Sequence, residues 1–483
     1  MLLFFCLLQA LLQGTPAPHV LAITHIAVID TSNGAVQPDS TVIIAQTRLA
    51  ALGISGKVRI PKNAEIIDGS GKFLIPGLWD MHVHTSQLGQ DLLPMFIANG
   101  VTGVRDMHSS WSAFEQIRAW NGGAQAWPRI VASGPGIDGP GSPKHGVLIV
   151  RNAAEARESV MLLKQRGAAF VKIYEMLSRE SYDAIASQAA KEGLPFVGHL
   201  PLSVTIAEVL TAGQRSIEHC FSLLAACSPE PEIAKQAAAI GLAPPPERMS
   251  FWRARSERVI ARYSSEHAKS LGAALAKNGL WIDPTLTVDR MQASLDDAVF
   301  LGRSDVKYMP QAVQARWKVP DGVLSRYFFW RESRRGRVQF AKELEALRIV
   351  YRAGARILPG TDTPVRFCLP GFGLHDELAL LVQAGLTPTE ALRAATRDAA
   401  EALNLAHEYG TVTAGKAADL VVLDANPLQD IHNLKAIYGV VLRGNFIPRG
   451  RLDTMLADIE KIARQPSRPA AGVGRPAGIT PPV

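Results

Sequence analysis

The stretch Pro76–His84 reads PGLWDMHVH and sets two histidines, His82 and His84, two residues apart at the end of an apolar run. Residues two apart on a strand share a face, so both imidazoles point the same way. The Pro-Gly pair before them is a breaker. It sits where a β-rich flank gives way to a different pattern, so the motif marks a domain boundary as well as a pair of candidate ligands.

Upstream, from Ile23 to Lys72, short β-like runs alternate with turn signals (THIAVIDTSNG, STVIIAQ, AEIIDGSGKF). A matching set, GTVTAGKAADLVVLDANP and IYGVVLRGNFI, lies near the other end. The expectation is a small composite β-sandwich formed by both chain ends, residues 23–72 and 408–450. Two unrelated β-segments are the alternative.

Downstream, residues 73–407 alternate apolar β-branched runs with helical patterns. The runs are Lys72–His84, Gly100–Asp106, Pro128–Gly134, Ala169–Tyr174, Pro195–Leu200, Ser216–Cys220, Leu280–Leu286 and Arg356–Asp362. Eight strand–helix units are what a (β/α)8 TIM barrel requires. A doubly wound open sheet competes, but it would carry a Gly-rich phosphate loop after its first strand, and none is evident. Two long connections show helical periodicity around Glu247–Lys277 and Ser325–Tyr351 and read as insertions covering the barrel mouth. Residues 464–483, rich in Pro, Gly and Arg, read as a disordered tail.

The 483 residues are 47% hydrophobic and 20% charged, with a formal net charge of +7. Part of the excess lies in RESRRGR (Arg331–Arg337), read as a solvated helix face. No aromatic–basic interleaving points to nucleic acid. Residues 1–22, MLLFFCLLQALLQGTPAPHVLA, form an apolar run whose core is shorter than the ~20 residues of a membrane span. It reads as a signal peptide without a positive n-region, with small residues near Ala17 and Ala22 as cleavage sites. The expectation is a periplasmic or secreted protein with no stable membrane insertion after cleavage; a homo-oligomer is compatible. Beyond Cys6 the chain carries Cys220, Cys227 and Cys368, which allows one Cys220–Cys227 disulfide but no framework.

In a (β/α)8 barrel, chemistry sits at the C-terminal ends of the strands. His82 and His84 end the first, Lys172 lies near the end of the fourth, His199 of the fifth, His219 of the sixth, and Asp362 ends the eighth. Any one of these alone reads as an ordinary strand-end residue; the ordered set reads as a metal site, suited to Zn2+ and related divalent ions. A lysine among cations must be neutral, which burial and positive neighbours favour. A neutral amine can react with carbon dioxide to give an anionic carbamate able to bridge two metals. Pairing of Lys172 with Glu175 or Asp106 is the alternative.

IPGLWDMHVH, VKIY, VGHLP, SIEHC and PGTDTP together resemble the amidohydrolase superfamily, most closely its imidazolonepropionase-like and metal-dependent, prolidase-like dipeptidase members. The resemblance runs from about Ile23 to Phe446. It implies a distorted (β/α)8 barrel with a composite β-sandwich. It also implies that His82, His84 and Asp362 hold one metal, that His199 and His219 hold a second, and that carboxylated Lys172 bridges them. Imidazolonepropionases proper work with one metal and lack the bridging lysine, so Lys172 argues for a dinuclear peptidase-type site. The expected activity is hydrolysis of a C–N bond of a dipeptide or N-acyl amino acid by a metal-activated hydroxide, with Asp362 as the proton carrier. Hydrolysis or deamination of a cyclic amide, heterocycle or xenobiotic is the second reading, and a non-enzymatic binding role the third. His145, in the loop PGIDGPGSPKHG, and Tyr174 and Arg366 are nominated to contact substrate, Arg366 through a substrate carboxylate. Asp80 and Asp106 read as supporting carboxylates.

Overall fold

A computed structural model describes residues 19–123, 125–228, 245–318 and 333–465. The first strand, β1 (Val20–Ile29), is buried along almost its whole length, as befits a strand covered on both faces. It pairs antiparallel with β2 (Val36–Ala45), which pairs with β3 (Arg48–Ile54). β4 (Glu65–Asp68) and β5 (Phe73–Pro76) run parallel to β1. The sheet begins at Val20 rather than at the expected boundary of 23. Leu21 and Ala22 are fully buried and paired with Ile44 and Ile43, so cleavage after Ala22 would strip paired positions from β1. The rest of the expected signal peptide, residues 1–18, lies outside the described residues.

The run Lys72–His84 is two strands. Gly77 separates β5 from β6 (Leu78–Val83), and a Cβ there would collide with Thr102. β6, β7 (Val101–Asp106) and β8 (Arg129–Ala132) form a parallel three-stranded sheet. After β8 come two short strands the sequence did not suggest, β9 (Ile137–Asp138) and β10 (Leu148–Ile149). They head a second parallel sheet with β11 (Val171–Ile173), β12 (Phe196–Gly198), β13 (Ser216–Glu218), β14 (Trp281–Asp283) and β15 (Arg356–Ile357), in the order β10-β9-β11-β12-β13-β14-β15. Backbone hydrogen bonds link the two sheets at both edges. Ala169 N–H donates to Ala132 O at 3.0 Å, Met81 N–H to Pro359 O at 2.9 Å, and Asp362 N–H to His82 O at 2.7 Å. Each of the eight expected barrel runs contributes a strand to one of the two parallel sheets, an α/β fold of the TIM-barrel type.

Helices between the strands follow their local chemistry. The helix Arg179–Glu192 starts at Ser178, whose hydroxyl accepts from Ser181 N–H, and ends at Gly193 with φ 59°. Tyr182, Ile185 and Ala189 form its buried stripe. The two long connections are helical as expected, with helices Pro245–Ala261, Ser265–Asn278 and Ser333–Arg352, while 229–244 and 319–332 lie outside the described residues. Phe251 of the first packs with Met176 and Leu202, just past β11 and β12, which brings this insertion to the C-terminal side of those strands.

The chain closes with β16 (Leu420–Leu423), β17 (Ile437–Leu442) and β18 (Asn445–Pro448). They join the first strands in one mixed sheet, ordered β18-β17-β16-β5-β1-β2-β3 with β4 beside β1. A helix, Arg449–Ala463, follows; most of the expected tail, 466–483, lies outside the described residues. Cys220, Cys227 and Cys368 are free buried thiols, so the disulfide that the spacing allowed does not form. Among the described residues no helix is long and apolar enough to cross a membrane.

Candidate metal centre

All six candidate ligands lie on or just past the C-terminal ends of parallel strands. His82 is in β6 and His84 one residue beyond it; Lys172 is in β11; His199 and His219 directly follow β12 and β13; Asp362 follows β15. Two of them depart from strand geometry. His219 has φ 71° and Asp362 φ 57°, the left-handed region that L-residues seldom occupy. At His219 this turn breaks the alternation, so that Glu218 and His219, neighbours in sequence, both contribute to the same site.

His84 Nε2 lies 2.9 Å and His82 Nε2 3.5 Å from Asp362 Oδ1. His199 and His219 bring their Nε2 atoms to 3.1 Å. The two groups touch through His82 and His219, whose ring centroids are 4.9 Å apart. Lys172 Nζ is fully buried, finds no hydrogen-bond partner among the described residues, and lies 5.0 Å from the centroid of the Tyr174 ring. Neither carboxylate considered as its partner bonds it: Glu175 pairs with His199, and Asp106 accepts from Thr85.

Beneath the histidines lies a charged floor that the sequence reading missed. His82 Nδ1–H donates to Glu218 Oε2 at 3.1 Å, and Arg105 donates from one Nη to Glu218 Oε2 at 2.9 Å and to Asp283 Oδ2 at 3.0 Å. Burial opposes the charge on Glu218, but Arg105 and His82 hold its carboxyl well below the usual range; burial and Glu218 push Asp283 far up. The floor thus balances one guanidinium against one carboxylate. His199 Nδ1–H donates to Glu175 Oε1 at 2.8 Å, and His219 Nδ1 lies 2.8 Å from Thr285 Oγ1. Such partners fix ring orientation and tautomer. Asp80 and Asp106 do support the site. Asp80 accepts from Thr361 N–H at 3.1 Å and Thr361 Oγ1–H at 2.7 Å, and Asp106 accepts from Thr85 N–H at 2.7 Å, anchoring the neighbours of Asp362 and His84.

A carboxylate only accepts, so the proton of His82 sits on Nδ1 and that of His199 likewise. Both Nε2 atoms then present lone pairs. Burial lowers His82 to about 3 and lowers His199 and His219 as well, which favours the neutral form of each ring. Burial works against the charge on Asp362, yet the imidazoles beside it, His82 first, hold its carboxyl well below the usual range. A lone pair facing a carboxylate oxygen is repulsive unless a cation lies between them. The donor atoms of His82, His84 and Asp362 lie within 4.8 Å of one another, and imidazole with carboxylate suits Zn2+-like ions. The residues therefore fit a divalent cation. Burial lowers Lys172 to about 8, which makes the neutral amine accessible. A second acidic group, His82, Glu218 and Asp283, already has Arg105 as its cation.

The residues nominated for substrate fare differently. Tyr174 is buried at the centre, its ring 4.9 Å from His199 and 5.8 Å from His108. His145 is exposed, and its contribution is a backbone carbonyl that accepts from His108 Nε2 at 2.8 Å. The histidine turned toward the cluster from this side is His108, 6.4 Å from the His84 ring; its one sequence signal was its position just past the second barrel strand. Arg366 directs an Nη to the carbonyl of Trp317 and lies over the Phe367 ring at 5.5 Å.

The sequence profile of the Amidohydrolase family matches residues 73–447. Imidazolonepropionase of Rubrobacter xylanophilus is 26% identical over 429 residues, 85% of this chain and 91% of that protein. A shorter match to imidazolonepropionase of Geobacillus sp. WCH70, 37% over 111 residues, spans 22% of this chain and only 24% of the relative. Among solved structures, a Xaa-Pro dipeptidase with methionine in its active site superposes with a TM-score of 0.64 at 20% identity, covering 89% of this chain and all of the other.

Proposed function

The chain belongs to the Amidohydrolase family, a metal-binding hydrolase of C–N bonds, and from that premise we propose that it is a dinuclear enzyme cleaving a dipeptide or N-acyl amino acid. In this reading His82, His84 and Asp362 would hold one divalent ion and His199 and His219 a second, both Zn2+. When bound, the ions supply Lewis acidity and lower the pKa of water. Lys172 would add its amine to carbon dioxide, forming an N–C bond as one C=O opens to a C–O− and one proton is released, and the anionic carbamate would offer oxygen ligands where the amine has none. Asp362 accepts a proton from the attacking water and returns it to the leaving nitrogen. Tyr174, whose phenol burial keeps protonated, donates to the developing oxyanion.

The observation that carries the dinuclear reading is Lys172 Nζ, buried among the candidate ligands without a hydrogen-bond partner among the described residues. Metal analysis tests it. Wild-type protein is expected to bind two ions per chain with a carbamate visible by mass, and Lys172→Ala to bind at most one and lose turnover. Two ions in the alanine variant would remove the bridge. The likeness to imidazolonepropionases favours a second reading, hydrolysis of a cyclic amide. One ion per chain, with turnover of a cyclic amide and of no dipeptide, would establish it.

In the same proposal the two parallel sheets act as one distorted (β/α)8 barrel, which starts at Leu78 rather than at the expected residue 73 because Phe73–Pro76 pairs into the mixed sheet, and the mixed sheet acts as a composite sandwich domain. The leader directs export to the periplasm or beyond, with cleavage near Ala17, so that β1 stays whole.

A further inference from the structure

The loop after β9 brings a second lysine to the site. Lys144 lies between Gly139 and Leu148, and the base of this loop is fixed. Asp138 Oδ1 accepts from Gly139 N–H at 2.9 Å and from Met176 N–H at 2.7 Å, and Leu148 N–H donates to Gly136 O at 2.8 Å. The lysine's own backbone is held on both sides. Its N–H donates to Ser142 Oγ at 3.2 Å, and the carbonyl of the next residue, His145, accepts from His108. The half-buried ammonium then lies 5.3 Å from the centroid of the Tyr174 ring, the same ring that Lys172 approaches at 5.0 Å and that stands 4.9 Å from His199.

Other cations near the site are engaged or enclosed. Arg105 is paired with Glu218 and Asp283, Arg366 points at the carbonyl of Trp317, and Lys172 is fully buried among the ligands. Lys144 has no ion-pair or side-chain hydrogen-bond partner among the described residues, although its charge is felt at Glu175, His108 and His199. An unpaired ammonium held at the edge of a metal site attracts anions. A short amide substrate carries its free carboxylate about one residue, roughly 3.8 Å, beyond the scissile bond. Both ends of such a molecule are then met at once, the carbonyl beside Tyr174 and the carboxylate at the ammonium.

We propose that Lys144 is the carboxylate anchor of this site, so that the enzyme selects small amides with a free carboxylate next to the scissile bond. The proposal rests on the amide-hydrolase reading above and takes over the role that the sequence assigned to Arg366.

The test uses the metal-replete full chain and a set of N-acetyl-L-amino acids with their matching C-terminal amides. Dissociation constants are measured by calorimetry and, separately, turnover is followed. Wild-type protein is expected to bind the acids at least about tenfold more tightly than the amides, the range of a charge-assisted hydrogen bond. In Lys144→Gln that ratio should fall toward one, with the loss on acids carried by KM; Lys144→Arg should restore it. No preference for acids anywhere in the set, or a preference that survives Lys144→Gln, overturns the anchor. A preference abolished by Lys144→Gln, without turnover of any amide, upholds the anchor and sinks the hydrolytic assignment instead.

Discussion

Below the histidines, Arg105, Glu218 and Asp283 are buried side chains on three strands, β7, β13 and β14, and they touch one another directly. Above them, Lys144, His145 and Arg366 sit on loops and are half-buried or exposed, and His108 ties the chain before β9 to the loop after it by accepting from Gly136 N–H and donating to His145 O. Floor and rim surround the same site with opposite means. Charge in the floor is neutralised within the protein and orients ligands. On the rim Arg366 points at the Trp317 carbonyl, and only at Lys144 does the charge find no ion pair among the described residues.

That contrast sets the order of expected effects. Arg105→Met removes the floor's cation and leaves Glu218 buried and unpaired, so it should cost about 3–5 kcal/mol of global stability, read from the denaturant midpoint. A loss below 1 kcal/mol would show that the floor is not held by charge. Glu175→Gln weakens the carboxylate partner of His199 and should reduce metal affinity by about 10–100-fold, measured by chelator competition, with little change in unfolding. The smallest effect belongs to the rim. His108→Ala frees the Gly136 amide and should raise its hydrogen exchange by roughly fivefold, the worth of one hydrogen bond at about 1 kcal/mol. Exchange rising instead across β7 and β13 would mean that floor and rim open together.

The same division separates what sequence reveals from what it hides. Strand-borne ligands obey periodicity: His82 and His84 share a face because strands have period two, and Lys172, His199, His219 and Asp362 follow because parallel strands end on one side. Glu218 was hidden by the same rule. It adjoins His219 in SIEHC, and alternation lets only one of two neighbours face inward unless the backbone turns, as it does at His219 with φ 71°. Arg105 and Asp283 were legible in principle, as opposite charges inside apolar strand runs that must find each other when buried. Loop residues had no such rule. His145 spends its backbone rather than its ring, and Arg366 turns to Trp317, because loop conformation depends on contacts that spacing does not encode.

The positive φ at His219, Thr285 and Asp362 has a consequence for any attempt to stabilise the protein. Each such residue costs on the order of 1–3 kcal/mol where glycine would cost little. Screening for thermal tolerance alone would therefore reward glycine or asparagine at all three positions, and at two of them, His219 and Asp362, it would delete a candidate ligand to gain that stability.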